Sequence, residues 1–351
     1  MKNIKSAYAF FGLIISLATQ PACAQEKYQH FAGNIENGGS VYANIIVSDT
    51  NVSGYMEIPD LFEKPLYFSG TLISGNLKMA TDSDSPVVFK GKYDNLGTII
   101  GELHHNRALY PAQLDESCDE GCLPMEVHSL NTVKLLDSKP DSPVAIYHAA
   151  LLEASSIRGN NLNSAIQKRF FKIKEPIPSK SVLTAAENDF FTQYIERNQS
   201  LNTAENYSRL NWEQSRIMRV IYNRNHKVSL AMHDYAYTGG SFGLKQTRFL
   251  VYDIINEREL KLKDLITEDS LTRLNQMIGR KLKQDLGLPM DESLINHGYY
   301  YADIEASDNF YLVENGLVFH YNNYEIASDK GETDVLITWE QLSGLLKQGF
   351  R

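Results

Sequence analysis

Residues 40–49 (SVYANIIVSD) and 51–58 (NVSGYMEI) flank a single Thr50 and read as two strands around a tight turn. Apolar and polar residues alternate through Val41-Tyr42-Ala43-Asn44-Ile45, the period of a strand with one face buried. Working outward, the same pattern recurs in 30–35 (HFAGNI), 65–73 (PLYFSGTLI), 76–82 (NLKMATD), 86–93 (PVVFKGKY), 97–103 (GTIIGEL) and 125–130 (MEVHSL). Turn signals separate them at Asn37-Gly38-Gly39, Ser74-Gly75-Asn76 and Asp94-Asn95-Leu96-Gly97. Roughly eight short strands predict a meander closing into a small up-and-down barrel over residues 25–134. Gly54, Gly70, Gly91 and Gly101 each follow a β-rich stretch, as the bends of a small barrel require. A barrel of this size either holds a small ligand or is filled by its own side chains. His104 and His105 are strand neighbours on opposite faces, so one metal ion cannot take both.

Residues 135–143 (LLDSKPDSP) read as a linker. Beyond it the period changes. Leu162, Ala165, Ile166 and Phe170 are spaced for a helix, and 185–198 and a stretch from Thr203 read likewise. Leu271, Leu274, Ile278, Leu282 and Leu286 share one helical face. A last helix is expected over 339–348, with Thr338 as cap, Gln341 completing a capping box and Gly349 past the end. Strands fall between, at 217–222, 227–236, 246–254, 310–313, 317–321 and 334–337. Residues 144–351 are therefore expected to form an α+β domain with an antiparallel sheet and packed helices.

The first 24 residues have the pattern of a signal peptide: Lys2 and Lys5, an apolar run over 7–18, then Ala22-Cys23-Ala24. The apolar run is shorter than the roughly 20 residues a bilayer span needs. Cleavage after Ala24 is expected, giving an exported protein of the periplasm or cell surface. A lipid tether on Cys23 is the alternative, although Gln20 and Pro21 match such a processing site poorly. Removing Lys2 and Lys5 takes the formal charge from −9 to −11. An acidic chain repels phosphate backbones, so nucleic acid is not an expected partner and a basic one is favoured. Cleavage leaves Cys118 and Cys122, read as a small disulfide loop, with a metal site as the alternative. No cofactor motif is present.

Tyr235-Ala236-Tyr237-Thr238-Gly239-Gly240-Ser241-Phe242-Gly243 resembles the YxYTGGAHG signature of the extracellular domain of RsiV-type anti-sigma factors, a domain shared with PdaC-type peptidoglycan deacetylases. Phe249-Leu250-Val251-Tyr252-Asp253 and Leu260 to Leu265 continue the likeness. So do Asn309-Phe310-Tyr311-Leu312, Gly316-Leu317-Val318-Phe319 and Tyr324-Glu325-Ile326-Ala327, over about 144–346 in all. Ser241-Phe242 stand where the family has Ala-His. No membrane span precedes the domain and no deacetylase module is expected after it. The N-terminal half is loosely similar to small β-barrel domains of bacterial envelope proteins.

The resemblance implies a recognition module; in RsiV-type proteins the domain recognises lysozyme, a basic enzyme. The binding residues it and the composition point to are Tyr235, Tyr237, Gly239, Gly240, Tyr299, Tyr300, Tyr301, Tyr324 and Glu325. Tyrosine joins a large contact area to a polar tip, which suits protein interfaces and sugar stacking. Gly239-Gly240-Ser241-Phe242-Gly243 also fits the G-x-S-x-G elbow of serine hydrolases, but a strand rather than a helix is expected after it. The expected function is a non-catalytic envelope protein binding an envelope protein, a peptidoglycan-type glycan or lysozyme. The alternatives are an enzyme using paired carboxylates on cell-wall glycans and a structural envelope protein.

Overall fold

A computed structural model describes residues 26–347, apart from 38, 95, 120, 140–141 and 201–206. The expected signal peptide, Cys23, Gly349 and most of the stretch from Thr203 lie outside the described residues.

Eight strands form the first unit: β1 (Lys27–Ile35), β2 (Gly39–Ser48), β3 (Asn51–Glu57), β4 (Leu66–Ile73), β5 (Asn76–Ala80), β6 (Val88–Tyr93), β7 (Thr98–His105) and β8 (Ala108–Glu116). Each pairs antiparallel with the next, and β1 pairs with β8 to close a barrel. Two-residue turns at Ser74-Gly75 and Asn106-Arg107 have positive φ at both positions. That conformation matches the twist of the strands it joins. At Gly70 a Cβ would lie 1.9 Å from the carbonyl of Lys78, so only glycine admits the neighbouring strand. Phe31, Val41, Ile45, Phe68, Phe89, Leu103 and Leu114 pack together inside, so the interior is occupied by side chains.

The eighth barrel strand is β8, not 125–130. Pro111 hides it, because proline within a run speaks against a strand. Here its carbonyl still accepts the Glu36 N–H at 2.8 Å. Residues 125–130 belong to β9 (Met125–Leu135), which pairs along its length with β10 (Val144–Ala154). The Pro- and Ser-rich tract 135–143 thus closes a hairpin within one sheet. Leu136 N–H donates to the Pro143 carbonyl and Asp137 N–H to Ser142 Oγ across it. The chain changes sheets at 117–124, where Cys118 and Cys122 form a disulfide. The thiols are consumed there, and no group suited to a metal ion occurs among the described residues. A loop this short restricts the unfolded chain by about 2 kcal/mol. Replacing both cysteines by Ser should lower the urea-derived unfolding free energy by about that amount.

After β10 come α1 (Asn160–Phe171), α2 (Ser179–Asn198), β11 (Trp212–Arg224), β12 (Lys227–Tyr237), β13 (Leu244–Asp253) and β14 (Arg258–Leu260). The six-stranded sheet runs β14-β13-β12-β11-β10-β9. It is antiparallel except for β10–β11, which is parallel. A parallel pair needs a long crossover, and α1 and α2 supply it. Leu162, Ile166, Phe170, Phe190 and Tyr194 of these helices pack on Met218, Leu230, Met232 and Leu250 of one sheet face.

The chain continues through α3 (Leu262–Leu265), α4 (Leu271–Asp285), β15 (Phe310–Val313), β16 (Gly316–Tyr321), β17 (Thr333–Thr338) and α5 (Trp339–Leu342). The last three strands form a small antiparallel sheet. α4 buries Leu274, Ile278 and Leu282 against Leu317, Phe319 and Val335. The expected capping box of Thr338 and Gln341 is present, but α5 ends at Leu342, and a turn and a bridge from Leu346 to Ile266 follow. Tyr311, Val313, Val318 and Leu336 cover Ile221, Ala231 and Phe249 on the other face of the large sheet. The barrel docks on that same side. Asn44 Nδ2 donates to the Ile221 carbonyl at 2.9 Å, Arg219 to Ser53 Oγ at 3.0 Å, and Arg224 to Glu57 at 2.6 Å. No helix among the described residues is long and apolar enough to cross a membrane.

Candidate functional site

Tyr299, Tyr300 and Tyr301 follow a short 3-10 turn at 294–297, 25 residues before Tyr324 to Ala327. The structure brings the two segments together. Tyr299 forms a β-bridge with Ala327, and Tyr300 N–H donates to the Ile326 carbonyl at 2.9 Å. This pairing buries Tyr299 to 4% and turns its neighbours outward: Tyr300 is 45% and Tyr301 60% exposed. Their rings meet edge to face at 6.4 Å. Tyr324 is 58% exposed and holds a positive φ at the bend after β16. Glu325 shapes that bend, its Oε2 accepting the Asn322 N–H at 2.8 Å. Asp303, Glu305 and Asp329 are exposed in the same two segments, with Lys330 as a cation. The phenol rings of Tyr300, Tyr301 and Tyr324 are thus exposed among carboxylates.

Tyr235, Tyr237, Gly239 and Gly240 lie at the end of β12 and its turn into β13. Gly239 has φ +89, and a Cβ there would lie 2.2 Å from the Arg209 carbonyl. A Cβ on Gly243 would overlap the Tyr235 ring at 2.3 Å. Gly239 and Gly243 are thus closely packed, whereas a Cβ on Gly240 would meet only the Phe242 carbonyl at 3.9 Å. β13 begins at Leu244, so Ser241 sits between two strands and lacks the helix that a nucleophile elbow needs. The hairpin end touches the tyrosine-bearing bend from the side: Lys245 Nζ reaches Glu332 at 2.7 Å, and Thr247 N–H donates to Asn322 Oδ1 at 2.6 Å.

Beneath this contact lies a polar junction built around His233 and His320. His233 of β12 lies 3.1 Å from the Tyr55 hydroxyl of the barrel and 3.2 Å from Thr247 Oγ1. Thr247 Oγ1 donates to Glu332 at 2.8 Å. His320 Nδ1 lies 2.8 Å from Asp334, while its Nε2 is buried without a hydrogen bond. Burial, with Lys245 and Arg219 nearby, pushes the His233 imidazole down to about 4. Burial raises Glu332, but the bonds from Lys245 and Thr247 outweigh it and hold the carboxyl below its usual range. No ring nitrogen of His233 is offered to solvent chemistry; the junction ties the barrel to the sheets.

Residues 263–340 match a family described as "Protein of unknown function (DUF3298)". The C-terminal region resembles the DUF3298 family. The DUF3298-like stretch contains Tyr299, Tyr300, Tyr301, Tyr324 and Glu325, whereas Tyr235, Tyr237, Gly239 and Gly240 precede it. Two similar solved structures carry the same family description. One, from Bacteroides fragilis NCTC 9343, is 22% identical, with TM-score 0.57 over 65% of this chain and 95% of that one. The other, from Pseudomonas aeruginosa PAO1, is 16% identical, with TM-score 0.48 over 64% of this chain and 95% of that one. At 22% identity the first likeness concerns the fold of the DUF3298-like chain. No curated protein matches.

Proposed function

We propose that this is a non-catalytic, exported recognition protein of the cell envelope, and that it contacts its partner through the Tyr300, Tyr301 and Tyr324 surface. The observation that carries this is the Tyr299–Ala327 bridge, which gathers three exposed phenol rings among carboxylates. Rings of this kind supply contact area at low entropic cost, and a carboxylate rim selects for positive charge. A formal charge of −9, or −11 without Lys2 and Lys5, steers a basic partner toward the protein. A basic protein such as lysozyme meets these terms, and a peptidoglycan-type glycan is the other partner that tyrosine stacking admits.

The test is retention of lysozyme and of purified peptidoglycan on immobilised protein lacking residues 1–24, at low salt. Replacing Tyr300, Tyr301 and Tyr324 together by Ala should weaken retention at least tenfold, since exposed tyrosines cost little stability. Added salt should weaken lysozyme binding, because the attraction between charges is screened. Failure to retain either partner would sink the proposal.

A further inference from the structure

The helix-covered face of the large sheet changes character along its length. Under α1 and α2 it carries Met218 and Val220 of β11, Leu230 and Met232 of β12, and Leu250 of β13. Successive residues on that face are two apart. Continuing at that spacing toward the β12–β13 hairpin, the same face presents Gln214 and Arg216, then Asp234, then Gln246 and Arg248. Arg216 stands directly opposite Asp234, and Arg248 opposite Met232. Polar residues at core-facing positions call for a cause.

They floor a groove of about 660 Å³ between the helices and the sheet, a volume in the range of small-molecule sites. Its walls include Phe171, Val182, Ala185, Phe190 and Leu244. Two guanidiniums share one carboxylate there. Arg216 Nε donates to Asp234 at 2.9 Å, and its Nη2 donates to the Phe170 carbonyl at 2.5 Å. Arg248 Nη2 donates to the other oxygen of Asp234, and Nη1 to the Arg169 carbonyl at 3.3 Å. The Phe171 ring lies under Arg216 at 4.5 Å and the Phe170 ring near Arg248 at 5.4 Å. Both cations are held in place before any ligand arrives, so little ordering remains to be done on binding. Asp234 offsets one positive charge and leaves one uncompensated. Arg248 Nε is buried and has no hydrogen-bond partner. Lys172 and Asp189 also line the groove, and their formal charges cancel. Meanwhile Leu244 is 63% exposed beside the groove.

We infer that the groove is a binding site for an acyl carboxylate, a single anionic head on an apolar chain. The head takes the uncompensated charge of the Arg216 and Arg248 guanidiniums. The chain covers the apolar walls and Leu244. A ligand with several charges would leave all but one unmatched against these walls, and an alcohol would leave the guanidinium excess uncovered. The site is separate from the tyrosine surface and stands without the function proposed for it.

Dodecanoate, below its micellar concentration, is titrated into the folded protein, with Trp212 at the groove as the fluorescent reporter and calorimetry alongside. Saturable one-to-one binding is expected, at least tenfold tighter than dodecanol. Arg248→Gln should weaken it at least tenfold. Because that variant also disturbs the ion cluster, Ala185→Trp fills the groove from exposed α2 and leaves all three charges in place; it too should abolish binding. The inference is overturned if dodecanoate does not bind, if dodecanol binds as well, or if a natively folded Ala185→Trp binds unchanged. A hexapeptide ending in a free Leu carboxylate, compared with its amide, forms the last arm. Tighter binding of that peptide than of dodecanoate would assign the site to peptide termini and overturn the acyl reading.

Discussion

Replacing Arg224 by Met should lower the free energy of unfolding by about 3–5 kcal/mol, the cost of leaving a buried ionic partner alone. Arg224 is 8% exposed and sits where the barrel, the large sheet and the small sheet meet. Its Nη2 donates to Glu57 of β3 at 2.6 Å and to Glu314, between β15 and β16, at 2.9 Å. Its guanidinium lies 3.8 Å from the Tyr42 ring centre and 4.0 Å from that of Tyr222. Burial opposes the charge, but Glu57 and Glu314 outweigh it and hold the guanidinium proton more tightly than usual. Glu57 is itself 4% exposed, and its second oxygen accepts the Glu314 N–H at 2.6 Å. In Arg224→Met that carboxylate loses its cation with no water to replace it. Adding Glu57→Gln removes the stranded charge and keeps an acceptor for Glu314 N–H. The double variant should therefore recover roughly half of the loss. Urea unfolding followed by Trp212 and Trp339 fluorescence measures both. If single and double variants lose the same amount, packing of the guanidinium between the tyrosines sets the cost and the stranded-charge account fails.

How much of this was legible in the sequence differs between elements for physical reasons. Seven barrel strands announce themselves because each alternates and ends in residues suited to tight turns. β8 does not, because Pro111 removes a ladder donor that this position does not use. The 135–143 tract has the composition of a linker, yet it is a hairpin loop; composition reports turn propensity, not whether the flanking strands pair. In the candidate site, the tyrosine run was visible as a run. Its pairing with Ile326 and Ala327 was not, because an isolated bridge has no period. The junction of Tyr55, His233, Thr247, Glu332, His320 and Asp334 draws on the barrel and both sheets, so no local spacing marks it. A partial signal existed: His320 interrupts the apolar run Gly316-Leu317-Val318-Phe319, and Thr247 precedes another in β13. A polar residue inside a buried strand needs a partner: Thr247 finds Glu332 outside its own sheet, and His320 finds Asp334 on the adjacent strand β17.

That junction leads to the second large effect, a loss of stability in mild acid. His233 stays neutral in the fold down to about 4, whereas the unfolded chain takes up the proton near 6.5. Above 6.5 neither state is protonated, and the full stability is present. As pH falls from 6.5 through about 4, only the unfolded chain binds the proton, and stability is lost. The gap corresponds to about 3 kcal/mol at the acid end, of which about 2 kcal/mol is gone by pH 5. Burial lowers His30 and His148 in the same direction, so their contributions add. The depressed carboxyls, Glu116, Asp137, Asp253 and Glu332, lose their charge only at lower pH. The window from pH 6.5 to 5 therefore reports the histidines. Urea unfolding at pH 7, 6 and 5 gives the slope, and His233→Gln should flatten it while keeping a polar group between Tyr55 and Thr247. An unchanged slope in that variant would place the proton elsewhere. Tyr55 belongs to the barrel and Thr247 to the sheet, so the cost of charging the buried His233 is relieved when the two part and water enters between them. The expected acid response is thus a loosening of the barrel's seat ahead of global unfolding, read as earlier hydrogen exchange at β3 and β12 than at β10.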